Sequence, residues 1–226
     1  SVFTLLYHCR ITRKMKMNTN NRSIQFDTIR KLVAETTFRN LPDHLFYHVP
    51  EHTLEDVLPR SIELATLENI NEEAMFLLKC AVLFHDAGFE KSFTKNESIG
   101  ADMADTVLPR FGVSNGQLGV IRRLIMATVV SETPGEYIQS AGDDILEKII
   151  CDADLDNLGR DDFFSKGDAL RKELAFHGSP RTNHDWYTHQ LEFLKHHKYY
   201  TEHARKSRDA GKRANIKKLE NILKIH

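Results

Sequence analysis

Cysteine is scarce in this sequence, and the few that occur exclude a disulfide framework and a thiolate zinc site. The 226 residues contain three cysteines, Cys9, Cys80 and Cys151. Their number is odd, and their spacing forms no ligand or disulfide pattern. Two of the three lie in apolar runs, which is typical of buried, reduced thiols. The sequence therefore predicts a cytoplasmic protein.

Long apolar runs and an excess of charge of one sign are also missing. No apolar stretch approaches 18 residues, so no membrane-spanning helix is expected. The apolar start at residues 2–7 is too short for a signal peptide. The formal net charge is -1 and indicates no class of partner. Charge is uneven along the chain, however. Residues 143–162 contain eight acidic and two basic side chains, whereas residues 195–224 contain ten basic and three acidic ones.

Convincing alternation of apolar and polar residues is absent, so the sequence predicts an all-α fold. A central helix is expected from about residue 72 to residue 86. Apolar residues at helical spacing predict further helices over 24–38, 53–67, 96–111, 114–130, 142–157, 160–176, 183–200 and 202–224. Within the second of these, Pro59 predicts a kink or a later start, because proline clashes with the carbonyl four residues back.

The chain is expected to form one helical domain with additions at both ends. Residues 1–21 differ from the rest in being basic and then rich in asparagine, and Met15 and Met17 are plausible starts. We expect 1–21 to be a disordered or non-native extension. We expect 22–176 to form a metal-binding helical domain, and 177–226 to form C-terminal helices packed on it.

The central helix is apolar on nearly all sides and ends in the polar doublet His85-Asp86. Such a helix is buried. Asn71 is positioned to cap its start, and Gly88 is expected to end it in the left-handed conformation. Burying an imidazole and a carboxylate without partners costs several kcal/mol, so the doublet needs a partner such as a divalent cation.

Imidazoles and carboxylates also occur beside two other predicted helices. The candidate ligands are His48, His52, His85, Asp86, Asp152 and Asp154. A set with imidazoles and carboxylates but no thiolate suits Mn²⁺, Fe²⁺, Co²⁺, Ni²⁺ or Zn²⁺, and also Mg²⁺.

The order His52, His85-Asp86, Asp154 resembles the HD superfamily of metal-dependent phosphohydrolases, which is named for its His-Asp doublet. The resemblance covers most of residues 24–176 and implies an HD-type helical bundle with a C-terminal helical extension. It also implies that His52, His85, Asp86 and Asp154 bind the metal. The segment from Tyr47-His48 to His52 resembles the equivalent stretch of cyclic-nucleotide phosphodiesterases, which implies that His48 donates a proton. Asp152 remains the alternative last ligand, since other HD families carry an Asp-x-Asp whose alignment can slide by two residues.

The interval between Asp86 and Asp154 contains no histidine. Dinuclear members of the superfamily draw extra histidine ligands from this interval. Their absence favours one divalent metal ion, and it argues against an oxygenase on the same scaffold.

The resemblance implies a metal-dependent phosphohydrolase that acts on a phosphorylated small molecule, with a nucleotide as the expected substrate. His48 and Asp86 are the predicted catalytic residues, and Lys91 and Arg160 are the predicted substrate-binding residues. The alternative is a sensor module that binds a nucleotide or a metal without turnover. The basic C-terminal stretch is expected to be an amphipathic helix, so neither nucleic acid nor a membrane is an expected partner. The oligomeric state stays open.

Overall fold

A computed structural model describes residues 19–133 and 136–225 of the protein, and the side chains of 22–130 and 139–224. The described part is all-α, as predicted. Its α-helices are α1 (Thr19–Thr36), α2 (Leu58–Leu67), α3 (Glu72–Phe84), α4 (Asn96–Val107), α5 (Asn115–Ala127), α6 (Ile145–Asp154), α7 (Phe163–Phe176), α8 (Asn183–His196) and α9 (Glu202–Ile225). Within the described ranges, every helix is too short or too polar to traverse a lipid bilayer. The extension expected at 1–21 lies outside the described residues, except that α1 already begins at Thr19.

α3 is the central helix of the bundle. Leu78, Ala81, Val82, Leu83 and Phe84 are fully buried in it, and it packs against α1, α2, α4, α5 and α6. Burying one large apolar side chain stabilises the fold by roughly 1.5–3 kcal/mol, so this helix anchors the main core. The doublet that follows α3 is therefore held on the most buried element of the molecule.

Both ends of α3 were predicted, one correctly and one wrongly. The Asn71 side chain accepts a hydrogen bond from the Ala74 backbone N–H at 2.9 Å, which confirms the predicted cap. The left-handed stop at Gly88 was wrong. Among the described glycines only Gly112 and Gly178 have a positive φ. After the doublet the chain instead enters a 3-10 turn, Ala87–Glu90.

Gly88 is needed for close packing rather than for its backbone angle. A Cβ at Gly88 would lie 2.0 Å from the carbonyl oxygen of Asn96. A Cβ at Gly100 would likewise lie 2.1 Å from the carbonyl oxygen of Phe84. The two glycines let α4 pack directly against the end of α3, beside the doublet.

The irregularity expected at Pro59 is confirmed and takes the form of a π-helical turn. A continuous helix runs over 50–67, and its segment His52–Val57 is π-helical. The Leu58 N–H bonds to the Thr53 carbonyl, five residues back. Proline has no N–H to donate and clashes with the carbonyl four residues back, so a wider turn before Pro59 accommodates it. His52 begins this turn.

A short antiparallel hairpin interrupts the helices where none was expected. Strands β1 (Val130–Thr133) and β2 (Glu136–Gln139) pair in the register Val130 to Gln139. The helix predicted over 114–130 ends at Ala127. Strands of four residues are too short for alternation to reveal them. The hairpin buries the side chain of Gln139.

The C-terminal helices α8 and α9 pack on each other, and α9 packs on the 3-10 turn Asp156–Gly159. A second apolar cluster joins them to the rest through Leu158, Phe163, Leu194 and Leu219. Where α9 crosses the turn, a Cβ at Gly211 would lie 2.0 Å from the carbonyl oxygen of Gly159.

Asp156 anchors α9 to α2 through two arginines. One of its carboxylate oxygens lies 2.7 Å from Nε of Arg60 on α2 and 2.7 Å from Nε of Arg208 on α9. Nη2 of Arg208 donates to the second oxygen at 2.8 Å. Asp156 and Arg60 are both buried. Removal of the Asp156 carboxylate would therefore leave the buried guanidinium of Arg60 without its negative partner.

We expect Asp156→Asn to lower the free energy of unfolding by about 3–5 kcal/mol, as is usual when one partner of a buried ion pair is removed. Urea-induced unfolding measures this. The matched control is Asp102→Asn, which removes an exposed contact with Arg122 and should cost less than about 1 kcal/mol. Equal effects of the two substitutions would contradict a role for Asp156 in holding α9.

Candidate metal centre

Three elements bring two histidines and two aspartates together. His52 begins the π-helical turn, His85 and Asp86 follow α3, and Asp154 ends α6. Nε2 of His52 lies 3.1 Å from Oδ1 of Asp154 and 3.7 Å from Oδ2 of Asp86. Nε2 of His85 lies 3.3 Å and 3.2 Å from the same two oxygens. The ligand atoms of His52, His85 and Asp86 all lie within 4.8 Å of one another, so this group could hold a metal ion.

Among the described residues, two buried atoms of this cluster have no hydrogen-bond partner outside the cluster itself. They are Nε2 of His85 and Oδ2 of Asp86. Nδ1 of His85 lies 2.8 Å from the Val82 carbonyl oxygen and donates to it, which leaves Nε2 directed at the carboxylates. Leaving such atoms unsatisfied costs about 1–3 kcal/mol each. A divalent cation would satisfy both at once, and the residues present fit one.

The electrostatics of the cluster also favour a cation. Burial lowers the pKa of His85, but Asp86 and Asp154 outweigh burial and raise it well above the ordinary value. Burial raises the pKa of both aspartates, yet the neighbouring imidazoles outweigh it and lower both pKa values. Both carboxylates are therefore ionised near neutral pH, as metal ligands must be, and a bound cation would take the place of the proton that the raised pKa keeps on His85.

Asp152 and Asp154 occupy different environments, although they are two residues apart. Asp152 is fully buried and accepts hydrogen bonds from the backbone N–H groups of Tyr200 and Thr201, each at 2.7 Å. It also accepts one from the Thr201 hydroxyl at 2.7 Å. Asp152 therefore fixes the segment before α9, and only Asp154 faces the two histidines. Of the two alternatives, the geometry favours Asp154 as the last ligand.

Gln139, at the end of the hairpin, positions Asp154. Its Nε2 donates to Oδ2 of Asp154 at 2.6 Å and to the Thr128 carbonyl oxygen at 3.0 Å. The other Asp154 oxygen is left to face His52 and His85. A hydrogen bond of this kind orients a ligand and tunes its affinity for metal.

His48 lies beside the cluster and is held by Glu173 of α7. Nδ1 of His48 contacts Oε1 of Glu173. The other Glu173 oxygen accepts the backbone N–H groups of Phe46, Tyr47 and His48 at 2.8, 2.9 and 3.2 Å. The ring of His48 stacks on Phe89, with 4.2 Å between centroids. Burial lowers the pKa of His48, but Asp86 and Glu173 outweigh it, so the net pKa is raised.

A cavity of about 550 Å³ opens beside this cluster. Asp86, Asp154 and His48 line one end of it. Its other walls are largely apolar and come from α7, α8 and the segment after α3. Side chains that form these walls include Phe89, Phe93, Leu155, Phe163, Leu170, Leu174, Trp186 and Leu194, with Lys166, Asn96 and Glu97 as polar members.

Neither of the cations predicted to bind substrate lines this cavity. Lys91 is exposed at the end of the 3-10 turn. Nη1 of Arg160 donates to Asp56 at 2.7 Å and its Nε donates to Asp162 at 2.9 Å. Lys166, which does line the cavity, shares Asp56 with Arg160 through a contact of 2.6 Å. The structure thus places Lys166, and not Arg160 or Lys91, on the wall of the cavity.

Three residues of this region, Gln139, Lys166 and Glu173, were not predicted from the sequence. Glu173 is 125 residues from His48 and Gln139 is 15 residues from Asp154, and neither belongs to a local motif.

No protein-family model, no curated protein and no solved structure matches the chain.

If the cluster binds a divalent ion, chelator is expected to lower the melting temperature. A ligand at 100 times its Kd stabilises the native state by about 2.7 kcal/mol. One kcal/mol corresponds to roughly 2–4 °C for a chain of this size, so the expected decrease is about 5–10 °C. Differential scanning calorimetry measures it. The His85→Ala variant is the control and should be insensitive to chelator. An unchanged wild-type melting curve would argue against a site coupled to the fold.

Proposed function

We propose that the protein is an HD-type phosphohydrolase that uses one divalent metal ion to cleave a phosphate ester or anhydride of a small molecule. One observation carries the proposal. Two histidines and two ionised aspartates meet at one end of a cavity, and two of their buried polar atoms have no other partner among the described residues. The order of these residues along the chain is the one expected of the HD superfamily.

His52, His85, Asp86 and Asp154 are the proposed ligands. Imidazole and carboxylate ligands suit Mn, Fe, Co, Ni, Zn or Mg as the divalent ion. When bound in such a set, the ion lowers the pKa of a water molecule and polarises a phosphoryl oxygen.

His48 is the proposed proton donor for the leaving oxygen. Its raised pKa keeps the imidazole protonated at pH values where a free histidine is largely neutral. Glu173 accepts the Nδ1 proton, so Nε2–H is the group that can face a substrate. Stacking on Phe89 and three backbone hydrogen bonds to Glu173 restrict the ring and its partner. A proton donor positioned in this way is typical of general acid catalysis.

A nucleotide is the substrate class that we propose. Cavities of 300–1,000 Å³ hold small-molecule ligands, and this one measures about 550 Å³. Phe89 and Phe93 line it near His48 and make this part of its wall aromatic, as suits a planar base. Lys166 provides a positive charge for phosphate. A single ion cannot clamp the attacking and leaving oxygens as a pair of ions does, which favours mononucleotides over cyclic di-nucleotides and nucleic acid chains.

Phosphate release from nucleoside mono-, di- and triphosphates tests the proposal. The protein is assayed with Mn²⁺, Co²⁺ or Mg²⁺, beside the His85→Ala variant prepared in the same way. Turnover in the wild type alone is the expected result. Cleavage of oligonucleotides or cyclic di-nucleotides with mononucleotides left intact would contradict it. Binding of nucleotide without turnover with any ion would favour the sensor function instead.

Lys166 and Arg160 offer a matched comparison for substrate binding. Both pair with Asp56, but only Lys166 lines the cavity. A hydrogen bond to a charged group contributes about 1.5–3 kcal/mol, so we expect Lys166→Gln to raise KM roughly 10–100-fold. Steady-state kinetics of Arg160→Gln should show a much smaller change in KM. A larger increase in KM for Arg160→Gln than for Lys166→Gln would indicate that Arg160 contacts the phosphate, as predicted from the sequence.

A further inference from the structure

A second pocket lies at the junction of α8 and α9 and shares no residue with the cavity beside the metal cluster. Its volume is about 510 Å³. Four of the six residues that line it are cationic and one is acidic. The six are Lys198, Tyr199, Arg205, Asp209, Lys212 and Arg213. The pocket therefore concentrates about three net positive charges in a chain whose formal net charge is -1.

Lys212 is the least exposed of the four pocket cations. It is 8% exposed, and its ammonium donates to the His197 carbonyl oxygen at 2.5 Å. Burial lowers the pKa of Lys212, Asp209 opposes this shift, and Lys198 and Arg213 lower the pKa further. Burial and the Lys212 charge lower the pKa of His197 to about 3, so that imidazole is neutral and adds no counter-charge. A buried ammonium surrounded by like charges is stabilised when an anion enters.

The pocket cations differ in their partners from Lys195 and Lys206, two other cations of the C-terminal region. Outside the pocket, Lys195 pairs with Glu220 at 2.9 Å and Lys206 pairs with Glu202 at 2.5 Å. Inside it, Nη1 of Arg205 donates to the backbone carbonyls of Tyr199 and Tyr200, at 3.1 and 2.6 Å. None of the four pocket cations has a carboxylate within ion-pair distance among the described residues.

From this geometry we propose that the pocket binds a small polyphosphate-bearing molecule, the class that includes nucleoside di- and triphosphates. Arginine and lysine are the side chains that recognise phosphate, and about three positive charges match a di- or triphosphate group. The recessed position of Lys212 favours a compact anion. The ion pairs Lys206–Glu202 and Arg208–Asp156 interrupt the basic stretch of α9, which argues against a continuous surface for nucleic acid. The proposal is independent of the phosphohydrolase function.

Calorimetric titration with inorganic tripolyphosphate tests this site, with the full chain kept in chelator so that metal-dependent binding of phosphate does not contribute. The test variant is Lys198→Gln with Arg213→Gln. Both side chains are exposed, so the variant should fold, and circular dichroism checks that it does. The matched control is Lys217→Gln with Lys224→Gln, which removes the same charge from exposed positions of α9 outside the pocket.

We expect the wild type and the control variant to bind one tripolyphosphate with similar Kd. The test variant should bind it at least about tenfold more weakly, which corresponds to a loss of about 1.4 kcal/mol of binding free energy. Citrate, a compact polyanion without phosphate groups, should bind more weakly than tripolyphosphate. Absence of binding, or equal weakening in the control variant, would overturn the proposal. Equal affinity for citrate, or tight binding of a single-stranded oligonucleotide alone, would overturn it as well.

Discussion

Replacing His48 by alanine is expected to reduce turnover by about 10²–10⁴-fold, the usual contribution of a general acid, while the metal content stays unchanged. The structure places His48 on the cavity wall with Glu173 at Nδ1 and Phe89 under the ring. It thus stands beside the proposed ligands without belonging to the cluster that they form. The decrease should be in kcat, because the proton is transferred in the transition state.

The measurement pairs steady-state kinetics with metal analysis of the same protein preparation. Glu173→Gln should reduce turnover less than His48→Ala does. It keeps the imidazole of His48 but holds the ring less firmly and removes the negative charge that favours its protonated form. His184→Ala is the matched control, because His184 is exposed on α8 and should change nothing. Loss of metal in His48→Ala would instead make His48 a ligand, and unchanged turnover would remove it from the mechanism.

Replacing His85 by alanine is expected to remove both the metal and the activity. His85 is 1% exposed, and its Nε2 is one of the two buried cluster atoms that lack another partner among the described residues. Loss of a residue that hydrogen-bonds to a metal ligand reduces metal affinity about 10–100-fold. Loss of the ligand itself should therefore reduce metal affinity by more than about 100-fold. Metal analysis after dialysis and calorimetric titration of Mn²⁺ measure this.

Asp86→Asn tests the same site with less change of volume. It removes the charge of Asp86 and keeps the shape of the side chain, so we expect weaker metal binding without unfolding. Asp102→Asn, at an exposed position of α4, is the control for the substitution itself. Full metal content in both His85→Ala and Asp86→Asn would reject the assignment of ligands.

Gln139 shows where sequence reasoning reached its limit. The segment 130–139 contains no motif, and its four-residue strands show no clear periodicity. Yet the hairpin carries an amide to within 2.6 Å of Asp154 and thereby leaves the other oxygen of that aspartate to the histidines. Glu173 and Lys166 are similar cases. Both are charged residues of α7 with no sequence motif around them, and only the packing of α7 places one against His48 and the other on the cavity wall.

The sequence by itself determined the all-α class, the buried central helix with its Asn71 cap, the disturbance at Pro59 and the set of candidate ligands. These features depend on residues within a few turns of one another, where helical periodicity and steric rules act directly. Only the tertiary structure separated Asp154 from Asp152, because the segment before α9 occupies one carboxylate and leaves the other facing the histidines. It also placed Lys166 on the cavity wall and tied Arg160 to two carboxylates. Such choices depend on contacts between residues far apart in the chain, and these contacts follow from how the helices pack and not from any local pattern.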